Sequence, residues 1–325
     1  MPDRLQVLST LADGRFHSGA DLAAALGVTR TAVWKHVRHL ADYGLAVEAI
    51  RGRGYRLPMP IELLDAGAIR AAIDPARQPR LTALDLHFET DSTNTRLLEA
   101  ARGGDITGRA CLAEFQRSGR GRRGRRWEAP LGTGICLSIG WRFQRPAAAL
   151  TALGLAIGIG CARAMTRLGV QDIGLKWPND VMHDGHKLAG ILIEMSGESD
   201  GPCTVVVGVG ANVSFPRHLA GDFRQPWTDI AGAAGRYVSR NGAAAALIGE
   251  LIGVMEAFDS DGFATLEDEW SRLDVLRDRA VDIQQPHATV TGVARGVAAD
   301  GSLVVEIDGR RERFFSGDVS VRLTP

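Results

Sequence analysis

The sequence predicts an α+β protein built from three consecutive parts. Residues 1–60 are expected to form a winged helix-turn-helix, because three short amphipathic helices precede a pattern typical of a β-hairpin. Residues 61–271 contain more strands than helices, and turns join most consecutive strands, which favours a mixed, largely antiparallel sheet with helices on one side. Residues 272–325 carry short strands and tight-turn signals that are typical of a small β-barrel.

The N-terminal part begins with a helix that carries Leu5, Leu8 and Leu11. Ser18 and Thr29 stand where hydroxyl side chains are expected to cap the second and third helices. A tight turn between these two helices is typical of a helix-turn-helix, and residues 47–57 are expected to form the hairpin, or wing.

The third helix is predicted to have a buried face and an exposed face. Val33, Val37 and Leu40 recur at helical spacing and are expected to point inward. The opposite face and the wing carry the candidate DNA-contacting residues, which are Arg30, Thr31, Trp34, Lys35, Arg38, Arg51 and Arg53. Residues 1–57 hold eight Lys and Arg against five Asp and Glu, which favours DNA as the partner. A plain protein-interaction module is the alternative.

An arginine-rich loop lies between two apolar segments in the central part. Residues 117–126 contain six arginines, three glycines and no acid, and the flanking segments 111–115 and 135–141 are expected to be buried strands. This placement favours a phosphate-binding loop over a solvated basic loop or a nucleic-acid patch. The spacing of Gly119, Gly121 and Gly124 also matches a dinucleotide-binding pattern, but residues 127–130 make a poor helix start and residues 139–147 contain no acid, so that interpretation is rejected.

Composition sets further bounds. The 38 basic and 38 acidic residues cancel, so no global field indicates a membrane or nucleic-acid partner. The four cysteines, Cys111, Cys136, Cys161 and Cys203, are widely spaced in apolar runs, which favours buried reduced thiols and a cytoplasmic protein. The N-terminus shows no apolar signal region, and residues 147–164 are expected to be a buried helix, so no membrane span is predicted.

Three polar elements indicate where chemistry occurs. Residues 176–180 interrupt a strand with proline and polar residues, Lys187 begins an otherwise apolar strand, and residues 92–94 offer small polar groups at a helix N-terminus. Singly, each could be a strand-end turn, a surface lysine or a helix cap. Together with the arginine loop they suit activation of a carboxylate by a nucleoside triphosphate. No nucleophilic triad is apparent, and exposure is favoured over metal binding for His183 and His186.

Five motifs carry a family resemblance over essentially the full length. They are Asp91–Asn94, Gln116 with Gly119–Gly124, Lys176–Asp180, Lys187–Gly190 and Gly208–Asn212. With them the sequence closely resembles the bifunctional biotin–protein ligases and biotin-operon repressors. The resemblance implies a class II synthetase-like ligase core and an SH3-like C-terminal barrel. It also implies that biotin and ATP, with Mg²⁺, give biotinyl-5′-AMP, and that biotin passes to a lysine of a biotin carboxyl carrier domain of acetyl-CoA carboxylase. The adenylate-bound protein is expected to dimerise and repress by binding operator DNA.

The resemblance assigns roles to individual residues. Biotin binding is implied for Ser92, Thr93, Asn94, Gln116, Arg120, Gly121, Arg122 and Lys187. Nucleotide binding is implied for Arg120, Arg122, Lys176 and Asn179, with Trp127 stacking on the adenine and Asn212 reading it by hydrogen bonds. The catalytic set is Lys187, Arg122 and Asp180, with Asp180 orienting the acceptor lysine. No protein metal ligands are implied.

The residues alone leave two other functions open. One is a transcription factor whose ligase-like core senses biotin without ligase activity; the intact Lys187 and arginine loop disfavour it. The other is a lipoate–protein ligase, which shares the core fold; the winged helix and the Gly119–Gly124 loop favour biotin.

Overall fold

The computed structural model describes residues 2–197, 201–216, 225–285, 288–317 and 319–324. The α-helices in these ranges are α1 (Pro2–Leu11), α2 (Gly19–Leu26), α3 (Arg30–His39), α4 (Ala66–Ala72), α5 (Thr93–Ala101), α6 (Leu153–Arg167), α7 (Ile230–Ala234), α8 (Arg240–Asp261) and α9 (Glu267–Leu273). The strands are β1 (Glu48–Ile50), β2 (Gly54–Arg56), β3 (Ala83–Thr90), β4 (Arg109–Gln116), β5 (Gly134–Phe143), β6 (Ile173–Lys176), β7 (Asp180–His183), β8 (His186–Gly197), β9 (Cys203–Asn212), β10 (Ala280–Gln284), β11 (Thr289–Val297), β12 (Leu303–Ile307), β13 (Arg310–Phe314) and β14 (Ser320–Leu323).

Helices α1 to α3 and the β1–β2 hairpin confirm the predicted winged helix-turn-helix. The Ser18 hydroxyl accepts a hydrogen bond from the Ala20 amide at 3.1 Å, and the Thr29 hydroxyl accepts one from the Ala32 amide at 3.2 Å. Each side chain therefore satisfies an amide at a helix start that has no partner within its helix. In α3, Val33 and Val37 are buried as predicted, and the residues on the other side are exposed.

The central sheet has the strand order β3-β4-β5-β9-β8-β7-β6. Its β3–β4 pair is parallel and the other pairs are antiparallel, which confirms a mixed, largely antiparallel sheet. Strand β3 runs parallel to β4 because α5 carries the chain back between them.

The prediction that the helices lie on one side of this sheet is wrong. Helices α6 and α8 share a core with Leu112 and Val207, whereas α5 packs through Leu97 on Cys111 and Val206. Successive strand residues point to opposite faces, so Leu112 and Cys111 belong to different faces and α5 lies opposite α6 and α8. On the face that carries α5, Gly190, Leu192 and Gly210 are only partly buried.

The two longest helices, α6 and α8, pack against each other on the fully covered face. The segments Ala147–Arg167 and Arg240–Asp261 are long and apolar enough to cross a membrane by length and composition, and 72% and 67% of their most apolar windows are buried inside the protein. The predicted helix over residues 147–164 is present as a 3₁₀ turn, Ala147–Leu150, followed by α6. Core packing therefore accounts for their apolar composition.

Strands β10 to β14 form the C-terminal sheet, with the order β13-β12-β11-β10-β14 and antiparallel pairing throughout. This confirms the short strands predicted for the small C-terminal unit. The indole nitrogen of the buried Trp177 donates to the Gly301 carbonyl at 3.0 Å. The turn after β6 is thereby tied to the turn before β12.

All four cysteines lie in the described ranges and are buried and free, as predicted. Burial raises the pKa of Cys111, Cys136 and Cys161 to about 12. These thiols stay protonated at neutral pH, so they are poor nucleophiles.

Candidate active site

Glycines form the floor of the partly covered sheet face. Gly190 of β8 pairs directly with Gly210 of β9, and Gly208 lies two residues before it on the same face. A methyl group on Gly210 would overlap the indole of Trp127, and one on Gly208 would overlap the amide of Asn94. Because these glycines have no side chains, flat groups such as the Trp127 indole and the Asn94 amide can lie directly on the sheet.

A small polar wall borders this floor at the start of α5. The amide of Thr93 donates to Gln116 Oε1 at 2.8 Å, and the Thr93 hydroxyl lies 3.1 Å from the same oxygen. Ser138 of β5 donates from its hydroxyl to Thr93 Oγ1 at 2.7 Å and also contacts Asn94 Oδ1. Ser92 occupies the N-cap position, but within the described residues its side chain caps none of the helix amides. Gln116 performs that function from β4, which argues against these residues being a simple helix cap.

Glu194 belongs to this wall and was missed by the sequence analysis. Its Oε2 accepts from Asn94 Nδ2 at 2.8 Å and lies 2.8 Å from Arg120 Nη2. The available signal was strand alternation, since Glu194 shares the face of Gly190 four residues earlier on β8. An acidic group on that face attracts the arginine loop to the polar wall.

Residues Gly119–Trp127, here called the flap, fold back over the floor. The Trp127 amide donates to the Gly119 carbonyl at 2.9 Å, and the Gly121 amide donates to the Arg125 carbonyl at 2.7 Å. Arg123 at the tip has a φ of +58°, in the left-handed region. The flap is therefore a closed turn with its own hydrogen bonds.

Arg122 connects the flap to two other parts of the molecule. Its Nη1 donates to Asn179 Oδ1 at 3.1 Å, and its Nη2 donates to the Ser316 carbonyl, just after β13. Burial, followed by the nearby Arg123, lowers the pKa of the Arg122 guanidinium. Asn179 is itself fixed, because its Nδ2 donates to the Ile191 carbonyl at 2.9 Å.

Opposite the flap lies a cluster of charges around Asp180. The ammonium of Lys187 is 2.6 Å from Asp180 Oδ1 and 5.9 Å from the centroid of the Trp127 ring. Burial lowers the pKa of the Lys176 ammonium; Asp180 opposes the shift, and the positive charge of Lys187 reinforces it. An anion that enters here would meet more positive than negative charge.

The indole of Trp127 has a buried N–H that finds no acceptor within the residues that the structure describes. Unpaired buried donors are costly and rare. A nearby bound ligand with an acceptor atom would remove that cost.

The segment 214–228 follows Asn212 in the sequence, and residues 217–224 lie outside the described residues. Its described end pairs with the site, because the Lys187 amide donates to the Pro226 carbonyl at 2.9 Å and the Thr228 amide donates to the Lys187 carbonyl at 3.0 Å. Asn212, expected to read adenine, donates from Nδ2 to the Thr228 carbonyl at 3.0 Å. The expected contact with adenine is therefore assigned to the side-chain oxygen of Asn212.

The structure therefore brings most predicted site residues together around the glycine floor. The wall holds Ser92, Thr93, Asn94, Gln116 and Arg120, and the charged end holds Gly121, Arg122, Trp127, Lys176, Asn179, Asp180 and Lys187. The described residues contain no group of three or more His, Cys, Asp and Glu that could hold a metal ion.

The predicted DNA-contacting residues lie elsewhere, on α3 and the wing. Arg51 and Arg53 are exposed at the turn between β1 and β2. The guanidinium carbon of Arg53 lies 4.2 Å from the centroid of the Phe16 ring, and that of Arg56 lies 4.6 Å from it. These stacks hold the arginines of the wing in place.

Tyr43 joins the N-terminal unit to the active-site sheet. Its hydroxyl donates to Glu89 Oε2 at 2.8 Å, and its ring packs edge-on against Phe88 and Phe115. Phe115 precedes Gln116 of the polar wall on β4. The N-terminal unit and the sheet that carries the candidate active site are therefore in direct contact.

Comparison with known proteins identifies the family. The sequence model of the biotin/lipoate A/B protein ligase family matches residues 88–212. An HTH domain model matches residues 3–56, and the biotin protein ligase C-terminal domain model matches residues 278–322.

Individual proteins match over most of the chain. The bifunctional ligase/repressor BirA of Salmonella typhimurium is 38% identical over 98% of this chain and 97% of its own length. The biotin–[acetyl-CoA-carboxylase] ligase of Mycobacterium tuberculosis is 35% identical over 73% of this chain and 88% of its own length. The structure of biotin protein ligase from Aquifex aeolicus in complex with biotin and ATP has the same fold, with a TM-score of 0.63 and 24% identity over 75% of this chain and all of that one. This chain belongs to the family of bifunctional ligase/repressor proteins with a biotin protein ligase core.

Proposed function

We propose that this protein is a biotin–protein ligase that also represses transcription. It makes biotinyl-5′-AMP from biotin and ATP and transfers biotin to one lysine of the biotin carboxyl carrier domain of acetyl-CoA carboxylase. One observation carries the ligase assignment: the glycine floor has a hydrogen-bonding wall at one end and a cationic cluster at the other. This arrangement suits a ligand with a neutral polar ring at one end and a carboxylate at the other.

In the first step a biotin carboxylate oxygen attacks the α-phosphorus of ATP, and pyrophosphate leaves. Lys187 and Arg122 are positioned to stabilise the negative charge that builds on the carboxylate and phosphoryl oxygens. Lys176 and Asn179 bind the phosphates, Trp127 stacks on the adenine, and Asn212 reads its edge. Ser92, Thr93, Asn94, Gln116, Arg120 and Gly121 hold biotin.

In the second step the neutral amine of the acceptor lysine attacks the carbonyl carbon of the mixed anhydride, and AMP leaves. Asp180 orients that amine and accepts its proton. The position of Asp180 next to Lys187 supports this role, because the amine must approach the same carbonyl that Lys187 contacts.

Magnesium is proposed to arrive with ATP. Mg²⁺ retains water and is commonly held by one or two carboxylates together with substrate phosphates.

The repressor activity is assigned to the N-terminal unit. We propose domains of residues 1–60 for DNA binding, 61–271 for ligation and 272–325 for the C-terminal barrel. Arg30, Thr31, Trp34, Lys35, Arg38, Arg51 and Arg53 contact operator DNA in a cytoplasmic homodimer that forms when biotinyl-5′-AMP is bound. The basic exposed face of α3 supports this part of the proposal.

One assay tests the enzymatic assignment. Purified protein is incubated with ATP, labelled biotin or labelled lipoate, and the isolated carrier domain. We expect biotin, not lipoate, on the acceptor lysine. Label from lipoate would identify a lipoate ligase, and ligand binding without adenylate or transfer would identify a sensing transcription factor. Gel shifts with and without biotinyl-5′-AMP test the repressor part.

A further inference from the structure

Helix α3 exposes an aromatic side chain that the packing of its own unit does not bury. Trp34 is 45% exposed, whereas its neighbours Val33 and Val37 are 0% and 7% exposed. A large indole on a small domain exposes apolar surface to water at a cost in free energy. Exposed aromatic groups of this kind are typical of contact surfaces.

The indole borders a concave surface between α3 and the wing. Arg30, Thr31, Trp34 and Tyr55 line an open cavity of about 380 Å³. The cavity lies on the face predicted to meet DNA. An indole at its edge can contact a group that projects from a ligand.

Arg38 restricts the indole. Its guanidinium carbon lies 4.8 Å from the centroid of the Trp34 ring, one helical turn away. Such a stack disfavours other rotamers of both side chains. The apolar surface is therefore presented in a defined position.

The charge around Trp34 indicates the chemistry of its partner. Helix α3 contains no acidic residue, and Arg30, Lys35 and Arg38 are exposed beside the indole. If the partner presented an apolar protein surface, these cations would have no counter-charge. The exposed face of α3 therefore fits a polyanion that also carries apolar groups. Among the groups that DNA presents in its major groove, the C5-methyl of thymine is the apolar one.

We propose that Trp34 packs against the C5-methyl group of an operator thymine and so determines specificity at that base pair. The inference rests on the proposed DNA-binding function. Arg38 acts as the positioning residue for the indole, and Lys35 supplies attraction that is independent of sequence.

The test removes single methyl groups from DNA. Full-length protein loaded with biotin and ATP selects its site from a random duplex library. Each thymine of the selected site is then replaced in turn by deoxyuridine, which lacks only the methyl group. In the wild type, we expect one thymine position in each half-site to be sensitive. Replacing that thymine alone should weaken binding about fourfold, which corresponds to the free energy of burying one methyl group.

Variants of Trp34 and Lys35 test which side chain is responsible for the effect of removing the methyl group. Trp34→Ala should bind the thymine and deoxyuridine sites equally, and Trp34→Leu should keep part of the discrimination because it retains an apolar group. Lys35→Ala is the matched control: it should weaken binding to all sites alike, reduce the salt dependence and leave the deoxyuridine effect unchanged. Thermal unfolding of each variant verifies that it is folded.

Two results would overturn the inference alone. Either the wild type binds its site but no deoxyuridine replacement weakens it, or Trp34→Ala keeps the full effect. Absence of any DNA selection by the loaded wild type would overturn the repressor function as well. The ligase assay would still report on the enzymatic part, so the failures are distinguishable.

Discussion

The ammonium of Lys187 lies 2.6 Å from the carboxylate of Asp180. The family resemblance gives these residues different partners, the biotin carboxylate for Lys187 and the acceptor amine for Asp180. In the structure each is the counter-ion of the other. Under the proposed mechanism, entry of an anionic substrate would give Lys187 a second partner and leave Asp180 freer to receive an amine.

Replacing Asp180 with asparagine should impair transfer more than adenylate formation. Asparagine keeps the shape but cannot accept a proton, and loss of a general base typically costs roughly 100-fold or more. Single-turnover transfer from preformed biotinyl-5′-AMP to the carrier domain measures this step separately. Asp184→Asn is the control, because Asp184 is exposed in the next turn and its φ of +47° suits asparagine. Equal slowing of both steps would contradict the assigned role.

Arg122→Gly should release biotinyl-5′-AMP faster than the wild type. The substitution removes the hydrogen bond to Asn179 and the contact with Ser316, which hold the flap over the site. Hydrogen bonds of charged groups contribute about 1.5–3 kcal/mol, so release should accelerate roughly tenfold or more. Stopped-flow dissociation of the labelled adenylate measures it. Arg123→Gly removes a neighbouring flap charge as the control, and an unchanged rate in Arg122→Gly would refute the role.

Glu194→Gln should raise the KM for biotin. The glutamine keeps the size but loses the charge that holds Arg120 at 2.8 Å, so the flap should close less tightly on the polar wall. Loss of a charge-assisted hydrogen bond predicts an increase of about tenfold. Glu306→Gln, which loses an ion pair with Arg295 in the C-terminal sheet, is the control. If KM for biotin is the same in both variants, Glu194 has no part in binding.

Gly210→Ala should impair use of ATP. A methyl group at this position would overlap the indole of Trp127 and displace it from the floor. Overpacking typically costs 1–3 kcal/mol, so the KM for ATP should rise about tenfold. A change in tryptophan fluorescence would report the displacement directly. Gly103→Ala is the control, because a methyl group there meets its nearest atom, the Ala100 carbonyl oxygen, at 3.5 Å.

Lys176→Met should stabilise the ligand-free protein while it impairs ATP use. Burial lowers the pKa of Lys176 below the ordinary 10.5, so folding disfavours its charged form. That cost is fully present below the folded-state pKa and disappears as the pH rises to 10.5, where both states are neutral. The variant should therefore have a higher Tm at pH 7, with a gain that shrinks as the pH rises from the folded-state pKa towards 10.5. Lys35→Met, at an exposed position on α3, is the control.

Sequence periodicity located most strands and helices of the fold, because inward residues recur at a spacing of two or about 3.6. It could not locate α5 on the opposite face from α6 and α8, since a strand such as β4 with apolar residues on both faces does not show which face a helix covers. Glu194 was missed for a related reason. Its partner Asn94 is 100 residues away, so the pairing has no local signature.

The sequence by itself determined the three-part organisation, the capped recognition helix with its basic face, and the motif residues that indicate the family, because each depends on neighbours along the chain. The tertiary structure alone decided which groups meet: the Trp127 indole on Gly210, Glu194 between Asn94 and Arg120, and Lys187 against Asp180. Such contacts arise when strands of one sheet align in register and a loop folds over their open face. Register and face are properties of the packed sheet, which a linear pattern specifies only in part.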